Sequence, residues 1–113
     1  MAYDFHLGED QREASRNPPV LQVDYYVAQD FVECAKGLFK SNEHIARLGK
    51  IGDYYGREAE LRYLPDEFDA LLVGLARLKP QVENRNVLSF IGTLEDVIKE
   101  AKTENKTLFG FAD

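Results

Sequence analysis

A single cysteine, Cys34, is all the thiol this chain has, so no disulfide can form within it. That points to a reducing compartment, and the cytoplasm is the expected setting. There is no tryptophan, and only two histidines, His6 and His44. A metal centre draws on several converging Cys, His, Asp or Glu ligands, usually with two of them close in sequence. Glu43 and His44 are adjacent and would point about 100° apart on a helix. No H-E-x-x-H, C-x-x-C or EF-hand spacing occurs. Neither a metal nor a cofactor is expected.

Basic residues are also scarce, 14 against 20 acidic ones, which leaves a net charge of −6. Non-specific nucleic-acid binding depends on neutralising phosphates with Lys and Arg, so this balance argues against it. Anionic membrane surfaces are disfavoured for the same reason. No apolar run approaches the roughly 18 residues that a membrane span requires. The opening residues lack the basic and apolar regions of a signal peptide, in keeping with a cytoplasmic chain.

Catalytic signatures are missing as well. Ser15, Ser41 and Ser89 lack the G-x-S-x-G elbow. Gly49-Lys50-Ile51-Gly52 places a lysine between glycines without the spacing of a P-loop. Cys34 falls in an apolar face, where burial raises a thiol pKa and makes it inert. An enzyme would need His44 or His6 gathered with a carboxylate of shifted pKa in one pocket, and it ranks third among the readings here.

What is present suits one globular domain over residues 1–113. The chain is 44% hydrophobic and 30% charged, the mix of an ordinary folded protein. Residues 1–19 read as a polar N-terminal arm. Tyr3, Phe5 and Leu7 alternate there with Asp4 and His6 in a weak strand signal. Residues 8–16 are charged and aperiodic, and Asn17-Pro18-Pro19 interrupts any regular element.

Helical spacing dominates the rest. Residues 24–40 place Val27, Phe31, Cys34 and Leu38 on one wide apolar face. Ser41 or Asn42 caps a second helix over residues 42–55, closed by Gly56. Gly49 and Gly52 lie inside it, each costing about 1 kcal/mol of helix propensity relative to Ala. Close packing explains them, or else a kink or an early helix end. Residues 57–64 fit a short strand or an irregular turn.

Pro65 then opens a third helix, lined by Phe68, Leu71, Leu72, Leu75 and Leu78 and closed by Pro80. A fourth, over residues 86–103, is capped by Asn86 and presents Val87, Ile91, Leu94, Ile98 and Ala101. Glu95 and Lys99 are spaced as an i,i+4 pair on it. The expected fold is mainly α, a four-helix core with short strands at the two ends; the alternative is a small α+β domain.

Carboxylates crowd residues 58–69, with Arg57 and Arg62 as local counter-charges. The tyrosines are more informative. Tyr26 shares an arc with Asp30, Glu33 and Lys40, and Tyr54 shares one with Arg47 and Lys50, while Tyr55 turns inward. An exposed tyrosine on a charged face offers large contact area at little cost in rotamer entropy, the character of a binding hot spot.

The run Asp53-Tyr54-Tyr55 amid further acids, on a small acidic helical chain, resembles the colicin-nuclease immunity proteins. In that family a Tyr-Tyr pair and surrounding carboxylates grip a basic toxin. The resemblance covers these three residues and the overall character; Gly56 stands where that family has proline.

These features predict a non-enzymatic protein-interaction domain of immunity, antitoxin or inhibitor type, meeting a basic protein partner. Tyr26, Asp53, Tyr54, Glu58 and Glu60 are the expected contacts. The second reading is a structural domain that self-associates through an apolar tail containing Leu108, Phe109 and Phe111.

Overall fold

Alternation at the start of the chain becomes a central strand. In the computed structural model, which describes residues 2–53 and 60–112, β1 (Ala2–Gly8) buries Tyr3, Phe5 and Leu7 on one face. The apolar tail becomes β4 (Thr107–Ala112) and pairs with β1 antiparallel, setting Tyr3 opposite Ala112, Phe5 opposite Gly110 and Leu7 opposite Leu108. β2 (Leu21–Asp24) flanks β1, and β3 (Leu61–Tyr63) flanks β4. The resulting sheet is antiparallel throughout, in the order β2-β1-β4-β3.

The helices that follow β2 cover one face of this sheet. α2 (Tyr25–Ala35) starts where β2 ends, with the Asp24 carboxylate accepting from the Val27 amide at 2.9 Å. α3 (Glu43–Leu48) is capped by Asn42, whose side-chain oxygen accepts from the amides of His44 and Ile45, each at 3.1 Å. α4 (Phe68–Leu78) follows a 3₁₀ turn at Pro65–Glu67, and a second such turn, Lys79–Gln81, holds Pro80. α5 (Arg85–Glu104) is the longest and ends at Asn105, whose φ of 55° is left-handed. Phe31, Ile45, Phe68, Leu71, Leu75, Ile91, Leu94 and Ile98 meet the sheet's Tyr3, Phe5 and Tyr63 in one fully buried core.

The fold is therefore helix-rich with a four-stranded antiparallel sheet, which fits the α+β alternative. Each of the four stretches with helical periodicity contains an α-helix, but the sheet supplies a full layer of the core, so a mainly α, four-helix core does not describe the fold. Residues 1–19 do more than form an arm. Beyond β1 they include α1 (Gln11–Arg16), capped by Asp10, which accepts from the Glu13 amide at 2.8 Å. α1 crosses the sheet's other face and buries Ala14 so close to Gly8 that a Cβ on Gly8 would stand 2.6 Å from the Ala14 nitrogen.

Three expectations are corrected in detail. The second helix stops at Leu48 and continues only as a 3₁₀ turn over Gly49–Gly52. Its glycines are close-packing positions, because a Cβ would meet the Phe39 ring at Gly49 and the Val32 side chain at Gly52, each at 2.8 Å. Asn84, not Asn86, caps α5, accepting from the amides of Asn86 and Val87. Glu95 pairs with Lys79 at 2.8 Å rather than with Lys99, tying the Lys79–Gln81 turn to α5.

Candidate functional site

Two groupings of polar side chains stand out, and they are built differently. The first joins α3 to β3 and to the start of α4. The Glu67 carboxylate accepts from the Leu64 amide at 2.9 Å and forms an ion pair with Arg47. The Arg47 guanidinium lies 4.5 Å over the Tyr63 ring and also donates to the Arg62 carbonyl at 3.3 Å. Tyr63, fully buried, donates its hydroxyl to the His44 carbonyl at 2.6 Å. His44 Nε2 stands 3.8 Å from Glu67.

Burial pushes the Glu67 carboxyl up, but the Leu64 amide, Arg47 and then His44 pull harder the other way, so it sits below its ordinary 4.5. Burial raises the Tyr63 phenol far above its usual range; Arg47 opposes this and Glu67 adds to it. Each partner here holds another in place, which is the signature of a structural lock.

The second grouping lies along α2. Tyr26 is 78% exposed and meets Tyr25 edge-on, with ring centroids 5.5 Å apart. Asp30 and Glu33, one and two turns further along this arc, are exposed too. Asp30 accepts from the Asn84 side chain at 3.2 Å, and Glu33 pairs with Lys36 at 2.9 Å. Gln29 lies one turn beyond Tyr26 and donates to the Gly52 carbonyl at 2.7 Å. That bond fixes the Gly49–Gly52 turn against α2, and the exposed Asp53 follows the turn.

Of the residues singled out by sequence, Tyr26 stands exposed on α2, and Asp53 is exposed after the Gly49–Gly52 turn that Gln29 ties to α2. Glu60, also exposed, stands at the head of β3, the sheet edge opposite β2. There it lines an open groove of about 210 Å³ with Gln11, Arg62, Phe109 and Phe111. Tyr54 and Glu58 lie outside the described residues, as do Tyr55, Gly56 and Arg57. Among the described residues the acidic stretch finds counter-charges distant in sequence, Arg47 for Glu67 and Lys102 for Asp69 at 2.6 Å; the expected Arg57 lies outside them.

Leu108 and Phe109 do not form a free apolar tail. They are buried in β4 of their own sheet, and Phe111 is half-buried, stacked on Phe109 and edge-on to His6. His6 itself is held by the Asn17 carbonyl at 2.9 Å; because a carbonyl only accepts, Nδ1 carries the proton. Cys34 is half-buried, and its thiol is raised by burial, then by Asp30 and Glu33.

One feature escaped the sequence reading: an open groove of about 220 Å³ between β2 and α5, bordered on the α5 side by Asn86, Ser89 and Thr93. The three recur at helical spacing beside the apolar stripe, the one signal that could have marked them. Among the described residues no cluster of three or more His, Cys, Asp or Glu could hold a metal ion, and no helix is long and apolar enough to cross a membrane. Compared with models of known families, with characterised proteins and with solved structures, the chain matches none of them.

Proposed function

We propose that this protein is a non-enzymatic interaction domain that binds a basic protein partner, an inhibitor- or immunity-type role, through the α2 ridge. The observation that carries this reading is the 78% exposure of Tyr26 on an arc shared with the exposed Asp30 and Glu33. Tyr25, 38% exposed and edge-on to Tyr26, makes this a pair of exposed rings rather than a lone one. Tyrosine joins contact area to a polar tip and loses little rotamer entropy when covered. The net charge of −6 would steer a basic partner toward this ridge and away from nucleic acid. Tyr54 and Glu58 lie outside the described residues and enter the proposal from sequence alone, and Glu60, at the β3 edge of the sheet, lies apart from the ridge. A cytoplasmic setting goes with the reading, since the lone Cys34 needs no oxidising compartment.

The test is affinity capture of the tagged protein from its own cells at low and high salt, with identification of what is retained. A basic protein held at low salt and released at high salt is the expected result. Retention of a partner regardless of salt would contradict the electrostatic part of the proposal.

A further inference from the structure

The groove between β2 and α5 has the build of a site for an extended chain. β2 is an edge strand, with β1 on one side and no described strand on the other. Such an edge presents backbone N–H and C=O groups in a row, the template on which another segment can pair. Asn86, Ser89 and Thr93 of α5 border the groove opposite this edge, and Val27 and Phe90 supply its apolar lining. Ser89 and Thr93 are short and exposed, so the space beside the edge is left open rather than filled by side chains. The Thr93 hydroxyl folds back onto the Ser89 carbonyl at 3.0 Å, which keeps it out of the way.

The charge around the groove has one dominant sign. Asp24 lines it and is exposed, and Asp30 lies one turn beyond Val27 on α2. Asp96, one turn past Thr93 along α5, is exposed as well. Arg85 is the base beside Asn86 in sequence, and its side chain turns about 100° away from that of Asn86. The contact between Asn84 and Asp30 ties α2 to the start of α5 at this end of the molecule.

We propose that this groove takes an extended basic segment of a protein partner, added to β2 as a fifth strand. Lysine or arginine side chains on one face of the added strand would meet Asp24, Asp30 and Asp96, and alternate apolar side chains would cover Val27 and Phe90. The inference rests on the basic-partner reading above and supplies its geometry, because Asp30 belongs both to the Tyr26 ridge and to the surroundings of the groove.

The probe is a synthetic peptide of about ten residues alternating lysine and valine, titrated into the full chain and followed by backbone amide NMR. The expected result is that the amides of Leu21–Asp24 shift most. N-methylation of alternate peptide bonds in the probe, and Ser89→Lys combined with Thr93→Lys, should each weaken binding at least about tenfold. Both substituted positions are exposed, so the variant should unfold at the wild-type midpoint.

Binding that ignores both changes would overturn strand addition while leaving the basic-partner reading intact. Binding that falls with Tyr26→Ala but not with the α5 variant would assign the base to the ridge and overturn the groove. No amide shift at all would also overturn the groove, and partner capture would remain a separate test of the ridge. A dimer dissolved by the α5 variant would give the groove to a second copy and reject the peptide.

Discussion

At the corner where α3 meets β3, Tyr63, Arg47 and Glu67 hold one another, and among the described residues the buried Arg47 Nε is left without a hydrogen-bond partner. On α2, by contrast, Tyr26, Asp30 and Glu33 face the solvent. Each region sets a tyrosine among charged side chains, and burial separates the two: Tyr63 is 0% exposed and Tyr26 is 78% exposed. A buried tyrosine must find a partner for its hydroxyl, and Tyr63 finds the His44 carbonyl. Around it, Arg47 is stacked on the ring and paired with Glu67, which in turn caps the turn into α4. These contacts stabilise the fold and leave little free to recognise anything else. The ridge is arranged the other way. Its contacts, Gln29 to Gly52 and Asn84 to Asp30, hold the scaffold in position beneath Tyr26 while the ring itself stays open to water. One corner ties the fold together; the other leaves its side chains in water.

The largest effect should come from emptying the corner. Tyr63→Ala removes a fully buried ring together with its hydroxyl bond and should cost about 3–5 kcal/mol, read from urea unfolding. Glu67→Ala comes next. It leaves Arg47 without its ion-pair partner and the Leu64 amide without its acceptor; because both side chains are partly exposed, a loss of about 1–2 kcal/mol is expected.

A pH series sharpens this second prediction. The folded Glu67 pKa lies below its ordinary 4.5, so its stabilisation is present above that value and disappears as pH falls through the lower, folded pKa. The stability gap between wild type and Glu67→Gln should therefore be widest near neutrality and shrink below about pH 4. A gap that stays constant down to pH 2 would mean that the carboxylate charge is not what holds the corner.

The smallest effect on stability belongs to the ridge. Tyr26→Ala should change the unfolding free energy by no more than about 0.5 kcal/mol, since the ring is mostly exposed. A loss comparable to that of Tyr63→Ala would erase the distinction between the two regions.

Much of the helical part of this contrast could be read from the chain, and the reasons are local. Asp24 and Asn42 are side chains that accept from amides two or three residues on, so their capping roles need no tertiary information. Tyr26 falls opposite the buried Phe31 and Ala35 by helical geometry alone. What stayed hidden depends on partners far away in sequence. α1 buries only Ala14 within its own span, so six residues carry no visible periodicity, and the helix exists because β1 offers Gly8 as a place to dock.

The same holds for β2, four residues whose alternation is too short to read without β1 beside it. Glu95 had a well-spaced neighbour in Lys99, yet the Lys79–Gln81 turn brings Lys79 to it instead. Within the ridge, Tyr26 was legible from its own arc, but the docking on α2 of the turn before Asp53 required the bond from Gln29 to Gly52, a contact across 23 positions. The groove beside β2 was invisible for a similar reason, since a short strand and a stripe of small polar residues mean nothing until the fold sets them side by side.

The most direct measurement is partner capture from native cells with wild type, Tyr26→Ala and Glu67→Ala compared side by side in the same low-salt buffer, each first checked to be folded. The expected result is a basic protein retained by wild type and by Glu67→Ala and lost with Tyr26→Ala, which separates binding from stability on one chain. If Tyr26→Ala retains that protein as fully as wild type does, the α2 ridge is not the binding surface and the exposure of Tyr26 needs another explanation.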